Sequence, residues 1–320
     1  MEKKAVFAAV FISILLLLLL AGAMFVDSAK ANGIIPEYKH LPEIVINSNG
    51  SVTPETNLIK QIGLTYSLTA DVDGYAIRIE RSNIVFDGAG HTINTTKGDS
   101  PGISLSAVNR VTIKNVEVVG RYTNIYLNNS SHCLITEVKT NKRVYLADGS
   151  NFNTITKSNI TMFHTFLGNA GNNRIIKNNI LQELGIGSSN NFFSQNNFFL
   201  TALPYIAGDN FWDDESVGNY WGNYSMEYPN ASEMGNGISD TPYVIERDGY
   251  SIKEYPDAKN VDNYPLVYPY DIENDAIAFP TAAPQPEPEP FPTALVIAAS
   301  GASIAIIGIG MLVYFKKRKH

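Results

Sequence analysis

The chain has 320 residues, a formal net charge of −7 from 24 Lys and Arg against 31 Asp and Glu, and one cysteine, Cys133. Because phosphate neutralisation needs clustered basic residues, this acidic balance argues against a nucleic-acid partner. A single cysteine excludes an internal disulfide framework and any zinc site built from cysteines. Stability must therefore come from burial and hydrogen bonds.

The first 31 residues have the organisation of a secretory signal peptide. Two lysines precede an uncharged, largely apolar run over residues 5–26, and Ala29-Lys30-Ala31 then fits the small-residue rule for signal cleavage. Because the run is long for a signal, a retained signal anchor is the alternative. We predict that the chain is exported, and that residues 32–74 form an N-terminal cap and the first strands of the next domain.

Residues 75–200 contain an internal repeat of about 20 residues, the period typical of stacked β-coils. The segments NTITKSNI (153–160), NRIIKNNI (173–180) and NFFSQNNF (191–198) share one arrangement of asparagines and apolar residues. One apolar position recurs in five successive copies: Ile113, Ile135, Ile155, Ile175 and Phe193. Short apolar segments at this spacing, with no helical period, predict an all-β solenoid in which inward side chains stack as ladders.

A second apolar pair occurs earlier in each copy of the repeat. Its members are Ile103 and Leu105, Ile125 and Leu127, Val144 and Leu146, and Leu184 and Ile186. The turn near residue 164 is irregular, because His164 and Phe166 stand where two aliphatic residues are expected. Asparagines are frequent throughout. Since Asn tolerates the left-handed conformation and its amide can bond backbone or a neighbouring amide, we expect asparagines at the corners.

The region 201–277 is predicted to close the solenoid. Its segment FWDDESVGNYWGNYS (211–225) holds both tryptophans of the chain and follows the last repeat. A last coil exposes apolar edges and unpaired strand atoms, which aromatic residues can cover, so we predict a C-terminal aromatic cap. The same residues are also candidates for a carbohydrate platform, with aromatic faces against sugar rings and polar groups bonding hydroxyls. The candidate ligand-binding residues are Trp212, Asp213, Asp214, Asn219, Tyr220, Trp221 and Tyr224.

The C-terminal end has the pattern of a membrane anchor. Residues 278–292 include six prolines, which hold an extended conformation and predict a Pro/Glu-rich stalk. Residues 293–315 are 23 uncharged residues, enough to cross roughly 30 Å of hydrocarbon as a transmembrane helix. The tail 316–320 is basic, which predicts a cytoplasmic C-terminus and a domain outside the cell.

Metal and catalytic sites are weakly indicated. Calcium would have oxygen ligands in Asp209, Asp213, Asp214 and Glu215. Copper would need His, Met or Cys ligands, and these are scattered along the chain. Sugar hydrolysis needs paired acids roughly 5 to 9.5 Å apart, and no acid pair recurs at one position of adjacent repeats. The sequence therefore predicts no resident cofactor and no catalytic residues, with calcium as the metal to consider first.

Five elements in order resemble the NosD-type right-handed parallel β-helix proteins: YAIRIERSNIVFDGAGHTI (75–93), the Asn-rich coils, GNYWGNY (218–224), ISDTPYVI (238–245) and DNYPL (262–266). The resemblance covers residues 44–268. It implies a right-handed parallel β-helix and, from relatives that carry a signal and a C-terminal span, an archaeal cell-surface protein. It also implies copper handling as one alternative function, because the family name comes from a protein linked to copper maturation of an enzyme.

We therefore expect a single-pass, membrane-anchored protein at the cell surface, whose β-helix binds polysaccharide or glycoprotein or serves as surface structure. A polysaccharide-cleaving hydrolase or lyase is the first alternative, and copper or calcium handling is the second. Glycosylation sequons accompany an exported chain. They lie at Asn49, Asn94, Asn128, Asn129, Asn159, Asn223 and Asn230.

Overall fold

The computed structural model describes residues 39–165, 169–254, 257 and 260–279. Within them the chain winds into a right-handed parallel β-solenoid of about seven turns, with coils of about 21 residues. This confirms the all-β solenoid that the repeat predicts. The predicted signal peptide (1–31), nearly all of the stalk, the membrane span (293–315) and the tail (316–320) lie outside the described residues. No helix among the described residues is long and apolar enough to cross a membrane.

Each coil contributes strands to three faces of the solenoid. Four long strands turn a corner and belong to more than one face: β10 (Thr112–Val119), β12 (Leu134–Ala147), β14 (Asn159–Thr165) and β16 (Asn179–Ile186). The first face also contains β1 (Glu43–Ile46), β6 (Ala76–Ile79), β9 (Ile103–Ser106), β11 (Thr123–Asn128) and β19 (Tyr205–Ile206). The second face also contains β4 (Thr65–Leu68), β7 (Val85–Asp87), β13 (Thr154–Thr156), β15 (Arg174–Ile176) and β17 (Phe192–Ser194). The third face also contains β5 (Val72–Asp73), β8 (Thr92–Asn94), β18 (Asn197–Phe198) and β20 (Tyr220–Trp221).

The remaining described elements lie outside the parallel stack. At the N-terminal end, β2 (Val52–Thr53) and β3 (Ile59–Ile62) pair antiparallel with β1 and β4. After the last coil come two short antiparallel pairs and two helices. They are α1 (Tyr224–Glu227), β21 (Tyr243–Val244) with β22 (Val261–Asp262), α2 (Gly249–Glu254), and β23 (Tyr270–Asp271) with β24 (Ala276–Ile277).

The second face contains the apolar ladder that the repeat predicts. Parallel pairing aligns Ile113, Ile135, Ile155, Ile175 and Phe193 in one column. All five side chains are fully buried. Because one coil cannot bury its own inward residues, this stacking supplies the burial that stabilises each coil.

The first face also has its predicted apolar pairs in register, except at the irregular turn. There the inward residues are Phe163 and Thr165, and His164 points away from the core. The reason is a corner that is one residue shorter in β14, where Ile160 and Met162 align with Ile180 and Glu183 of β16. A fixed repeat length cannot anticipate that shift, since one residue moves every side chain to the opposite face. Phe166 lies outside the described residues.

The third face shows that the solenoid extends past residue 200. Its inward column ends with Ile180, Phe198 and Trp221, each paired with the next in parallel register. At the other end, β1 pairs in parallel with β6. Parallel stacking thus begins inside the segment 32–74, predicted as an N-terminal cap with entry strands, and ends inside the segment 201–277, predicted as the C-terminal cap region.

Buried asparagines join the coils, as their frequency suggested. The Oδ1 atoms of Asn173 and Asn191 accept hydrogen bonds from the backbone N–H groups of Asn153 and Asn173, at 2.9 and 3.1 Å. A second amide ladder runs through Asn178, Asn196 and Asn219. These side chains satisfy buried backbone donors at corners where the strand ladder is interrupted.

Left-handed corner residues form a separate set. Asn172 and Asn190 have φ of 57° and 63°, as expected for asparagine. Lys157 and Lys177 occupy equivalent corners on another edge, with φ of 50° and 58°. Asparagines therefore have two separate roles in this fold: the buried amide ladders and some of the left-handed corners.

Candidate functional site

Both tryptophans of the predicted site belong to the core. Trp221 is 2% exposed and stacks on Phe198 with ring centroids 4.4 Å apart. Trp212 is 1% exposed and stacks on Phe193 at the same centroid separation. Each ring thus continues an inward column of the solenoid, and neither face is open to stack against a ligand.

Both indole N–H groups bond one short segment of the terminal region. Trp212 Nε1 donates to Asn260 Oδ1 at 2.8 Å, and Trp221 Nε1 donates to Asp262 Oδ2 at 2.9 Å. A buried indole needs such a partner. The segment that carries Asn260 and Asp262 therefore closes the open end of the solenoid.

Asn219 is fully buried and is the last asparagine of the second amide ladder. Its backbone N–H donates to Asp262 Oδ2 at 2.7 Å, in the position where a further coil would supply an amide oxygen. Asn260 does the same for the first ladder by accepting from the backbone N–H of Asn210. Burial raises the pKa of Asp262 to about 7. Hydrogen bonds from Trp221, Asn219 and Tyr264 favour the carboxylate and partly oppose this increase. Gly218 approaches this carboxylate so closely that any Cβ would overlap Asp262 Oδ1.

Tyr224 lies in the cap as well. Its side chain is 5% exposed, and its hydroxyl donates a hydrogen bond to Ser239 Oγ at 2.8 Å. Tyr243 stacks on Trp221 at 4.7 Å, and burial raises the pKa of Tyr243 to about 12. The predicted aromatic cap is therefore present as a packed cluster, and four of the seven candidate ligand-binding residues lie inside it.

Two of the remaining candidates, Asp213 and Asp214, line an open groove beside the last coils. The groove has a volume of about 530 Å³. We call it the terminal groove, defined by Arg174, Phe192, Asn210, Phe211, Trp212, Asp213, Asp214, Glu215, Val261 and Asn263. Phe211 is 59% exposed, and the Arg174 guanidinium lies 4.4 Å from the centroid of the Phe192 ring. Exposed aromatic surface and charged groups thus meet on one side of the molecule.

A tight turn presents the acids of the terminal groove. Asp214 Oδ1 accepts hydrogen bonds from the backbone N–H groups of Ser216 and Val217, at 3.0 and 2.7 Å. Asp213 Oδ2 accepts from the backbone and side chain of Asn263, both at 2.9 Å. Partial burial raises the pKa of Asp214, but the hydrogen bonds from Ser216 and Val217 outweigh it and leave the pKa below its usual range. Both carboxylates are held in place by these bonds.

Tyr220 is not brought together with these acids. Its ring lies 5.6 Å from that of Phe199, and it packs against the small apolar cluster around Leu266. The structure therefore divides the seven candidates among the buried cap, the terminal groove and this separate position.

A second cluster, which the sequence repeat does not indicate, lies on the outside of the first face. We call it the lateral cluster, defined by Tyr126, Arg143, Tyr145, His164 and Glu183. The rings of Tyr126 and Tyr145 are 5.8 Å apart, and the edge of His164 meets Tyr145 at 6.5 Å. Tyr126, Tyr145 and His164 occupy one outward column because β11, β12 and β14 pair in register. The sequence signal was His164 itself, which interrupted the apolar pattern.

The electrostatics of the lateral cluster keep His164 neutral. Burial and the nearby Arg143 charge lower the pKa of His164 to about 4, although Glu183 opposes this shift. His164 Nε2 lies 3.0 Å from Glu183 Oε1, but the N–H direction is poorly aligned, so this is a close polar contact rather than a full hydrogen bond. Arg143 Nε is buried and has no hydrogen-bond partner among the described residues.

Metal ligands do not converge in the described part of the chain. No group of three or more His, Cys, Asp or Glu side chains there is arranged to hold a metal ion. In the calcium candidate set, Asp213 and Asp214 already accept several hydrogen bonds from protein donors. Cys133 is a buried free thiol, and burial raises its pKa.

The fold and these sites define the class of protein as a parallel β-solenoid with a closed C-terminal end. Comparison with known proteins adds no narrower assignment, since the chain matches no family model, no curated protein and no solved structure. The NosD-type resemblance is thus supported at the level of the β-helix fold alone.

Proposed function

We propose that this protein is a membrane-anchored, cell-surface β-helix that binds carbohydrate or glycoprotein through the terminal groove. The observation that carries the proposal is the exposed ring of Phe211 beside fixed carboxylates and the Arg174–Phe192 pair. An aromatic face with a few positioned polar groups is the usual composition of a site that recognises a sugar ring and its hydroxyls. The proposed location rests on the sequence of the two ends.

The buried tryptophans cannot form the predicted carbohydrate platform, so we propose sugar contacts from neighbouring residues instead. Trp212 underlies the terminal groove as part of its floor, while Phe211 and Phe192 supply the accessible aromatic surface. Asp213 and Asp214 keep the role proposed from sequence, because each has a carboxylate at the groove. Sugar contacts would thus come from the residues next to the tryptophans.

The test is a polysaccharide and glycan array probed with the full-length chain in detergent. Phe211→Ala removes the exposed ring, and Phe152→Ala is the matched control, because Phe152 is 55% exposed but does not line the groove. We expect Phe211→Ala to lose at least tenfold in affinity, while Phe152→Ala binds as the parent does. Equal binding by both variants would contradict the terminal groove as the site.

The same wells test the alternatives. Release of reducing ends would favour the hydrolase or lyase, for which the groove offers Asp213, Asp214 and Glu215 as acids. Absence of binding to every glycan, with a folded chain, would overturn the binding proposal and favour a structural role at the cell surface.

A further inference from the structure

The lateral cluster differs from the terminal groove in charge. The terminal groove has three carboxylates, Asp213, Asp214 and Glu215, against one cation, Arg174. The lateral cluster has one cation, Arg143, and one carboxylate, Glu183, and its His164 is neutral at pH 7. The lateral cluster is therefore less acidic than the terminal groove.

Arg143 has a buried Nε atom with no hydrogen-bond partner among the described residues. Arg78 pairs with Glu43 and Glu80, and Arg121 pairs with Asp99. Among the described residues, no carboxylate forms an ion pair with Arg143. A partly buried guanidinium without an anionic partner is costly, because its charge is desolvated without compensation. A ligand carboxylate would supply the planar, two-oxygen acceptor that a guanidinium matches.

Arg143 and the aromatic rings lie within reach of one ligand. Its guanidinium carbon is 5.9 Å from the centroid of the Tyr145 ring, and Tyr126 lies next to Tyr145 in the preceding coil. Lys142 adds a second positive charge in the same turn. Glu183 is aligned with Arg143 through Met162, two coils further along the solenoid, and its carboxylate lies 3.0 Å from His164 Nε2. Arg143 and the rings are thus adjacent, and Glu183 is displaced along the solenoid. Asp148 is the carboxylate nearer the rings, since burial and the Asp148 charge raise the pKa of Tyr126.

From this arrangement we infer that the lateral cluster is a second glycan site, specific for an acidic sugar: a hexuronate whose carboxylate binds Arg143 and whose ring lies against Tyr145 and Tyr126. The coil spacing places neighbouring rings 5.8 Å apart, so a chain of sugars running along the solenoid axis would contact successive coils. This inference goes beyond the proposed function and does not depend on the terminal groove.

The experiment compares trigalacturonate with its fully methyl-esterified form, which keeps the sugar shape and removes the charge. Binding to the full-length chain in detergent is measured by titration calorimetry at low and moderate salt. We expect the acid to bind at least tenfold more tightly than the ester, with the difference decreasing as salt rises. Equal affinities for acid and ester would overturn the inference, and this measurement needs no variant.

Arg143→Gln then assigns the site. It should abolish the preference for the acid over the ester. Arg110→Gln, the control, removes an exposed arginine of the same charge that lies outside the cluster, and it should keep the preference. A retained preference in Arg143→Gln would also overturn the inference. Failure of the terminal groove would appear separately, as unchanged glycan binding in Phe211→Ala, so the two proposals are distinguishable.

Discussion

The coils of residues 75–200 and the terminal region of residues 201–277 both bury large apolar side chains in the inward columns of the solenoid, but only the coils repeat. In the coils, Ile155 and Ile175 lie in equivalent positions 20 residues apart along the chain, and both are buried. In the terminal region, Trp212 and Trp221 each fill one inward position, by stacking on Phe193 and Phe198, and neither position recurs. An aromatic cluster without periodicity therefore resembles a binding site in sequence even where it is core.

Phe211 and Trp212 are neighbours in the chain, but Phe211 is exposed and Trp212 is buried. Trp212 stacks inside the last coil, whereas Phe211 projects into the terminal groove. A β-strand sends successive side chains to opposite sides, so adjacent aromatics divide between core and surface.

The largest effect is expected for Trp212→Ala. Removing a buried tryptophan leaves a cavity against Phe193 and takes from Asn260 Oδ1 one of its two hydrogen-bond donors, at a cost of about 3–5 kcal/mol in free energy of unfolding. Urea denaturation of the detergent-solubilised chain measures the change. A loss below about 1 kcal/mol would mean that the cap packs independently of the last coil.

The amide ladder should give the next largest effect. Asn196→Ala removes the acceptor for the backbone N–H of Asn178 and leaves Asn219 Oδ1 with one donor fewer, which costs about 1–3 kcal/mol. Asn172→Ala is the control, because Asn172 is an exposed corner residue outside the ladder. Its left-handed φ of 57° makes some loss there unavoidable, so the prediction is a larger loss for Asn196→Ala. Equal losses would contradict a special role for the buried amides.

Two groups give stability opposite pH dependences. Asp262 has its folded pKa raised from 3.8 to about 7, so the folded state holds its proton longer and stability falls as pH rises from about 4 to 7. His164 has its folded pKa lowered from 6.5 to about 4, so stability falls as pH drops from 6.5 to 4.

Single variants separate these two contributions. In Asp262→Asn the thermal midpoint should rise with pH between 4 and 6.5, because His164 then dominates; in His164→Gln it should fall between 4 and 7. Thermal unfolding across this pH range is the measurement. Parallel pH profiles in the two variants would show that neither shift is coupled to folding.

The smallest effect is expected for Phe211→Ala, which should change the free energy of unfolding by less than about 0.5 kcal/mol, because its ring is mostly solvent-exposed. Circular dichroism melts beside Trp212→Ala provide the comparison. A loss of unfolding free energy comparable with that of Trp212→Ala would show that Phe211 is packed in the core, and the terminal groove would then lack its exposed ring.

Sequence periodicity was enough to place the coils and their inward columns. Five ladder residues were predicted in register, because a solenoid imposes one coil length on apolar positions that must stack. The periodicity predicted the wrong inward residue at position 164. There β14 is one residue shorter at a corner, and Phe163 is the inward residue in place of His164. That single deviation also places His164 in the lateral cluster, which the repeat could not indicate.

The sequence by itself determined the class of fold, the approximate coil length and the need for a closing segment at the C-terminal end. Only the tertiary structure decided which aromatics of that segment are buried, that Asn260 and Asp262 terminate the two amide ladders, and that Arg143 lies beside Tyr145. The physical reason is that coil stacking follows a repeated local pattern, whereas a cap and an outer surface depend on contacts between residues distant in the chain. Such contacts leave no period in the sequence.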